Sequence, residues 1–385
     1  MKKSILTILF FLIVIVLNSC LDKFDFSTDN LSTSIDQSSE WAIPLVDASF
    51  TVDELLSTQT DLEKYLSIDQ NNFVSIIYQY DLQAYPASDF FNGNFSGTDL
   101  PYYADVLNTQ TVNFGFDKFD NLGEVYLKDP KMTFSILNYW NVATRFRFRD
   151  FYYYKTESSP GIPVTGPVVN NWINVDLPVS PAVMAITEIE FNKTNSNIDS
   201  VISSLPHHVT FAGDFETIPG GPFTIDPGSA DSVKLKINVP LDLRVSDLVM
   251  HDTLEFKLGD QVGDDTSKIS SLQLNVICDN GYPMDLELQL YFTDENYIIT
   301  DSLSNTGIFI GSGVVENGLV TESTKTTNII KIEGEKKINI LQSEFIILYA
   351  WFKTANADLD ENVKIYSTYT LGLKLGALVK LNIKI

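Results

Sequence analysis

Two cysteines and three histidines are all that this chain of 385 residues offers to disulfide, thiol and imidazole chemistry. His207, His208 and His251 do not form an H-E-x-x-H arrangement, so the helical zinc-protease geometry is absent. His207 and His208 would face opposite sides of a strand and suit a loop or a strand start, and His251 beside Asp252 is an ordinary placement, because neighbours in sequence rarely hold the geometry of a catalytic pair. There is no G-x-S-x-G elbow, Gly311-Ser312-Gly313 being the nearest approach, and no Gly-Lys dipeptide for a phosphate loop. Positive charge is also scarce: 26 Lys and Arg face 50 Asp and Glu, for a formal charge of −24. Such a chain repels nucleic acid and anionic lipid. No apolar run reaches the ~20 residues that a helix needs to span a bilayer.

What the chain does contain begins with Lys2 and Lys3 and an apolar run from Ile5 to Leu17, broken only by Thr7. A basic start, a short apolar stretch and a small residue before a cut describe a secretory signal over residues 1–19. Leu17-Asn18-Ser19-Cys20 resembles a lipobox. The resemblance implies that Cys20 is acylated and becomes the mature N-terminus, anchoring the chain in a membrane through its lipid, two or more acyl chains being enough for stable attachment. Cys278 then has no partner within the chain and reads as a buried, inert thiol. Residues 20–40, rich in Asp, Ser, Thr and Asn, read as a lipidated tether. The split acids Asp22 and Asp25 resemble the surface-export signal of Bacteroidota lipoproteins, and Trp41-Ala42-Ile43-Pro44-Leu45 onward resembles the start of uncharacterised members of that group. These resemblances imply an outer-membrane location, on the periplasmic face or the cell surface.

The body reads as all-β. Apolar and polar residues alternate over Phe73–Tyr80, Thr133–Leu137, Phe146–Tyr154, Val233–Val239, Leu272–Ile277, Leu286–Phe292, Ile329–Ile340 and, most regularly, Leu371–Ile385. Asn92-Gly93, Asn280-Gly281 and Asn317-Gly318 have hairpin chemistry. Short helices are expected from Thr51 toward Leu56, over Asp61–Ser67 and over Asn197–Ser204. The pattern predicts two antiparallel β-sandwich-like lobes, over residues 41–215 and 216–385. Strands around Phe134, Phe146 and Phe148 match those around Leu274, Leu286 and Leu288 at a spacing of 140 residues, which points to an internal repeat. Leu272–Phe292 also resembles LEA-type or immunoglobulin-like sandwich modules.

Binding chemistry is sparse. Glu188 and Glu190 share one face of a strand, and pairs of this kind serve glycosidases only across a cleft. Calcium is the metal that the acidic loops at Asp260, Asp264, Asp265 and at Asp358, Asp360, Glu361 would suit, but neither has a calcium-loop spacing, and no cofactor is expected. Aromatic residues offer more. Tyr102 and Tyr103 follow Pro101 in a loop, Trp140 is placed at a hairpin tip, Trp172 follows two asparagines, and Phe151-Tyr152-Tyr153-Tyr154 puts rings on both faces of a strand. Two readings stand for Tyr102, Tyr103, Trp140, Tyr153 and Trp172: packing within or between lobes, or anchoring a glycan or an envelope protein. The sequence thus favours a non-catalytic envelope lipoprotein acting as a binding or scaffold module. A glycan-binding accessory of an outer-membrane uptake system is the alternative, and a hydrolase with an unrecognised site the second.

Overall fold

The computed structural model describes residues 36–52, 64–90, 96–114, 119–120, 123–179, 183–226, 228–255, 269–303 and 307–384. Cys20, Asn92-Gly93, the helix expected beyond Val52 and the loop at Asp260–Asp265 lie outside them. Among the described residues the fold is all-β, with a few short helices. No described helix is long and apolar enough to cross a membrane.

A long strand, β1 (Asp36–Thr51), opens the described chain. Next come β2 (Lys64–Ile68), β3 (Val74–Pro86), β4 (Ala104–Asn113), β5 (Lys131–Asn138), β6 (Thr144–Tyr154), β7 (Ile162–Pro163), β8 (Ile173–Val175) and β9 (Ala185–Phe191). Helix α1 (Ile198–Ser203), β10 (His208–Thr217) and β11 (Ala230–Pro240) complete the first lobe. Its sheets run β9-β5-β11-β3-β2 and β7-β6-β10-β4, with β8 also on β6. The second lobe has β12 (Leu248–Glu255), β13 (Ile269–Asn280), β14 (Met284–Thr293), β15 (Ile299–Ser302), β16 (Ile308–Ile310) and β17 (Thr324–Glu333). Helix α2 (Gly334–Leu341), β18 (Phe345–Thr354) and β19 (Thr370–Lys384) follow. Here the sheets run β1-β19-β13-β17 and β15-β14-β18-β12, with β16 also on β14.

The two lobes repeat one order of elements. In each, a central strand (β5 or β13) crosses to the facing sheet as β6 or β14. Two short strands then edge that partner, the first along its C-terminal half and the second along its N-terminal half. An edge strand and a helix come next, before the chain returns through both sheets as β10 and β11, or as β18 and β19. The strand beside β11 is β3, and the strand beside β19 is β1. Sheet membership therefore does not follow chain order: residues 36–51 complete the second lobe, and residues 230–240, which the expected divide at 215/216 assigns to it, complete the first. A three-stranded sheet of Glu124–Leu127, Asp242–Ser246 and Val363–Lys364 joins the lobes.

Alternation explains the burial. β5 alternates half-buried and buried residues along its length, with Met132, Phe134, Ile136 and Asn138 inward. In the first core Phe134 meets Phe148, Phe151, Phe191 and Phe211 at ring-centroid distances of 4.6 to 6.0 Å. The second core is aliphatic, built from residues such as Leu274, Val276, Leu290, Ile330 and Leu348. Cys278 is fully buried there as a free thiol, and burial pushes its pKa up to about 11, so it is unreactive.

Three local expectations change. Asp61–Ser67 is not helical over its described part: Lys64–Ser67 falls in β2, paired to β3. The run Ile329–Ile340 is strand only to Glu333, where Gly334, at φ +57°, turns the chain into α2. Asn280-Gly281 is not a hairpin, because β13 and β14 lie in facing sheets. Asn280 is buried instead and holds the corner. Its amide donates to the carbonyls of Met284 and Gly311 at 2.9 and 2.8 Å, and its Oδ1 accepts from the Tyr282 N–H at 2.9 Å. Asn138 does the same work in the first lobe, with Asp176 O and the Trp140 N–H, both at 2.8 Å.

Candidate functional surfaces

Trp140 is therefore not at a hairpin tip. It sits in the corner between sheets, 1% exposed, in a small core with Leu100, Val142 and Phe223. Tyr153 packs on the first core, and Tyr154 stacks on His208 at 4.3 Å. The rings at Phe151–Tyr154 have a backbone cause. Asp150 takes φ +53°, and the β6–β10 register shifts beside it, so Phe146 and Phe148 point inward before the shift and Phe151 after it.

Tyr102 and Trp172 converge. On the outward face of β6 and β10, Arg145 pairs with Glu216 and Arg147 with Asp214, each pair in direct cross-strand register. Arg149 reaches Asp214 from the next position at 3.1 Å. The guanidinium carbons of Arg145 and Arg147 lie 4.7 and 4.6 Å from the centre of the Trp172 ring. The Tyr102 hydroxyl donates to Glu216 at 2.8 Å, which raises the phenol pKa. The carboxylate side chains are 15% and 9% exposed, whereas Arg145 is 41% exposed. The acids thus fix the guanidinium planes from below, and part of each plane remains accessible. Tyr103 stays beside this face, its N–H on Thr217 Oγ1 at 2.7 Å. The arginines are functional candidates that reading the aromatic residues missed. The signal was Arg145-Phe146-Arg147-Phe148-Arg149, which holds three of the four arginines in the chain.

The matching face of the second lobe is aromatic. Tyr349 lies 5.7 Å from Trp351 at 22°, 5.9 Å from Tyr291 and 5.7 Å from His251. All but the exposed His251 are half-buried. Tyr349 and Trp351 alternate with core residues Ile346, Leu348 and Ala350 along β18, so they belong to its outward parity.

Other candidates disperse. His207 lies in the bend before β10 rather than on the strand, so its Nδ1 comes within 2.9 Å of Nδ1 of His208. Burial first, and then His207, lowers the His208 pKa. Glu188 and Glu190 occupy the wet face of β9, and Glu190 bonds Lys131 and Asn192. Asp358, Asp360 and Glu361 turn to separate partners, Lys353, Arg244 and Asn356. Among the described residues no three metal-ligating side chains cluster.

No family model matches the chain, and no curated protein matches it. Among solved structures, one described as a "putative secreted protein" from Parabacteroides distasonis is 15% identical. That likeness covers 88% of this chain and 99% of the other, with a TM-score of 0.42. An infectious bursal disease virus structure (Gx strain) is 9% identical over 92% of this chain and 73% of the other, with a TM-score of 0.20. Neither likeness carries a functional argument at these scores.

Proposed function

We propose that this chain is a non-catalytic lipoprotein of the outer membrane, held through acyl chains on Cys20, that binds or scaffolds an envelope component. One observation carries the binding reading. Equivalent sheet faces on the two lobes present ordered rows of side chains that neither core needs: the arginine–carboxylate ladder with Tyr102 and Trp172, and the Tyr291–Tyr349–Trp351 row. Rings and guanidinium planes already held in place lose little conformational freedom on binding. The test is photo-crosslinking in cells, with a benzophenone amino acid at position 172, at 351 and, as a control, at exposed Lys331 on β17. A discrete adduct from 172 or 351 that is missing from 331 is expected. Identical adducts from all three positions, or none from 172 and 351, would end the proposal. The anchor is tested separately, by labelled palmitate incorporation that Cys20→Ala abolishes.

The aromatic row of the second lobe favours glycan as the component, because sugar faces stack on ring faces at low entropic cost. Retardation in gels containing soluble polysaccharide, lost in Trp351→Ala, is the expected result. Unchanged mobility of the wild-type chain across a panel of polysaccharides would remove this second reading.

A further inference from the structure

Between the sheets of the first lobe, at the end where β5 turns into β6, lies a cavity of about 50 Å³. One water needs roughly 10–15 Å³ of such space, so the cavity admits a group of several non-hydrogen atoms. Strand register dictates its walls. Asp105, Phe215 and Phe146 are cross-strand neighbours on β4, β10 and β6. Tyr85 and Asp231 are neighbours on β3 and β11 in the facing sheet. Trp140 enters from the corner, edge to face with Phe215 at 6.2 Å. The Phe146 ring lies over Gly213, where a Cβ would fall 2.5 Å from Cε2, so the wall is set by the absence of a side chain. Four aromatic rings and two carboxylates thus line one space.

The second lobe shows that the fold does not require those carboxylates. Its corresponding rows are Leu248–Phe352–Leu286 and Phe50–Leu371. Its corner closes with the Gly281 N–H on the carbonyl of Thr370 at 2.9 Å. In the first lobe the equivalent N–H, that of Tyr139, donates to Oδ1 of Asp231 at 2.7 Å. Asp231 is only 6% exposed, and a carboxyl group buried among rings is costly to ionise unless a cation offsets the charge.

We propose that this cavity binds an organic ammonium head group, embraced by Tyr85, Trp140, Phe146 and Phe215 and neutralised by Asp231, with exposed Asp105 at its mouth. The site lies on the inner side of the sheet whose outer face carries the arginine ladder, and it stands apart from the function proposed above. Ring faces attract a cation that brings few hydrogen-bond demands of its own, which describes an alkylated ammonium. A metal ion would require an oxygen-rich shell that this apolar lining lacks. An anion would meet two carboxylates. Burial raises the Asp231 pKa to about 7, and Tyr85, raised to about 12 by burial and then by Asp105, stays protonated. A bound cation favours the ionised Asp231, so affinity rises from pH 6 to pH 8.

The experiment is calorimetric titration of the full chain with choline and with its uncharged isostere 3,3-dimethylbutan-1-ol, at pH 6 and pH 8. Saturable choline binding is expected, tighter at pH 8, with the isostere weaker by about tenfold or more. Asp231→Asn keeps an acceptor for the Tyr139 N–H and should weaken choline by a similar factor without changing the circular dichroism spectrum. Should that variant fail to fold, Asp105→Asn, at the exposed mouth, is expected to weaken choline severalfold. No saturable choline binding at either pH, equal binding of the two probes, or full choline affinity in the folded carboxylate variants would overturn the proposal.

Discussion

The two lobes share an order of strands and differ in what fills it. Inward positions on β6 are Phe146 and Phe148, and on the matching β14 they are Leu286 and Leu288. Outward positions on β10 carry Asp214 and Glu216 against arginine, whereas β18 carries Tyr349 and Trp351. The corner beside β11 ends in a buried carboxylate, and the corner beside β19 ends in leucine. Topology is therefore satisfied by the alternation of apolar and polar residues alone, with aromatic or aliphatic residues inside. The departures between lobes mark chemistry that folding does not explain. Each can be tested by making the same change on both sides.

The core should show the largest effect. Phe134 packs against four other phenylalanines, so Phe134→Ala is expected to cost about 3–5 kcal/mol. Val276 holds the matching place on β13, two residues from Cys278 as Phe134 is from Ile136. Val276→Ala should cost about 2 kcal/mol, from two lost carbons at ~0.8 kcal/mol each and a small cavity. Denaturant midpoints check both, and equal losses would deny that the aromatic core is the more tightly coupled one.

Next comes Asp231. Its folded pKa, near 7, exceeds the unfolded value of 3.8 because burial opposes ionisation. The folded state therefore holds the proton more tightly, and stability falls as pH rises from about 4 through 7. The loss is on the order of 4 kcal/mol, from ~1.4 kcal/mol per pH unit. Asp231→Asn should remove that component, so the difference between variant and wild-type midpoints should grow with pH across this window. A constant difference would show that the carboxylate is not buried as described. At Leu371, the equivalent residue, no titration exists to be removed.

Asparagine at the two corners ranks third. Asn280 satisfies three backbone groups and Asn138 two. A buried group left unsatisfied costs ~1–3 kcal/mol, so Asn280→Ala should destabilise more than Asn138→Ala, by roughly 1 kcal/mol. The reverse order, read from the same midpoints, would mean that Asn138 carries more of the first corner than its two hydrogen bonds account for.

Much of this architecture was legible along the chain. Alternation located β3, β5, β6, β11, β13, β14 and β19, and Asn197–Ser204 gave α1 between a capping position and Pro206. The repeat was visible too, but its spacing is not uniform. It is 140 residues at Phe146 and Leu286, yet 142 at Asn138 and Asn280, because the second corner is two residues shorter. Pairing was not legible. A strand's period says which side is apolar, not which strand lies beside it, so nothing in Asp36–Thr51 announces that its partner is Thr370–Lys384, at the other end of the chain. Asn280-Gly281 misled for a related reason: the same dipeptide serves a hairpin and a corner, and only the burial of its side chain separates them. The outward face is not legible from single aromatic residues, because the ladder depends on arginines spaced by two.

The smallest expected effect falls on that ladder, and it separates a built surface from ordinary surface charge. Arg147→Lys retains the charge but loses the planar fork on Asp214 and the contact with Trp172, for a cost of about 1 kcal/mol. The Lys374–Asp47 pair on β19 and β1 is the comparison in the second lobe. Its charged atoms lie 3.0 Å apart, and its side chains are 65% and 74% exposed. Double-mutant cycles with Asp214→Asn and with Asp47→Asn, run at 0.1 M and 1 M salt, measure the coupling in each pair. Salt shortens the screening length from ~10 to ~3 Å and should erase the exposed pair's coupling. The coupling between Arg147 and Asp214 should survive, because the carboxylate is largely buried and the guanidinium is fixed from two sides. If both couplings vanish together in salt, the arginines form a solvated row like any other, and the first lobe's outer face loses its claim to be a preformed binding surface.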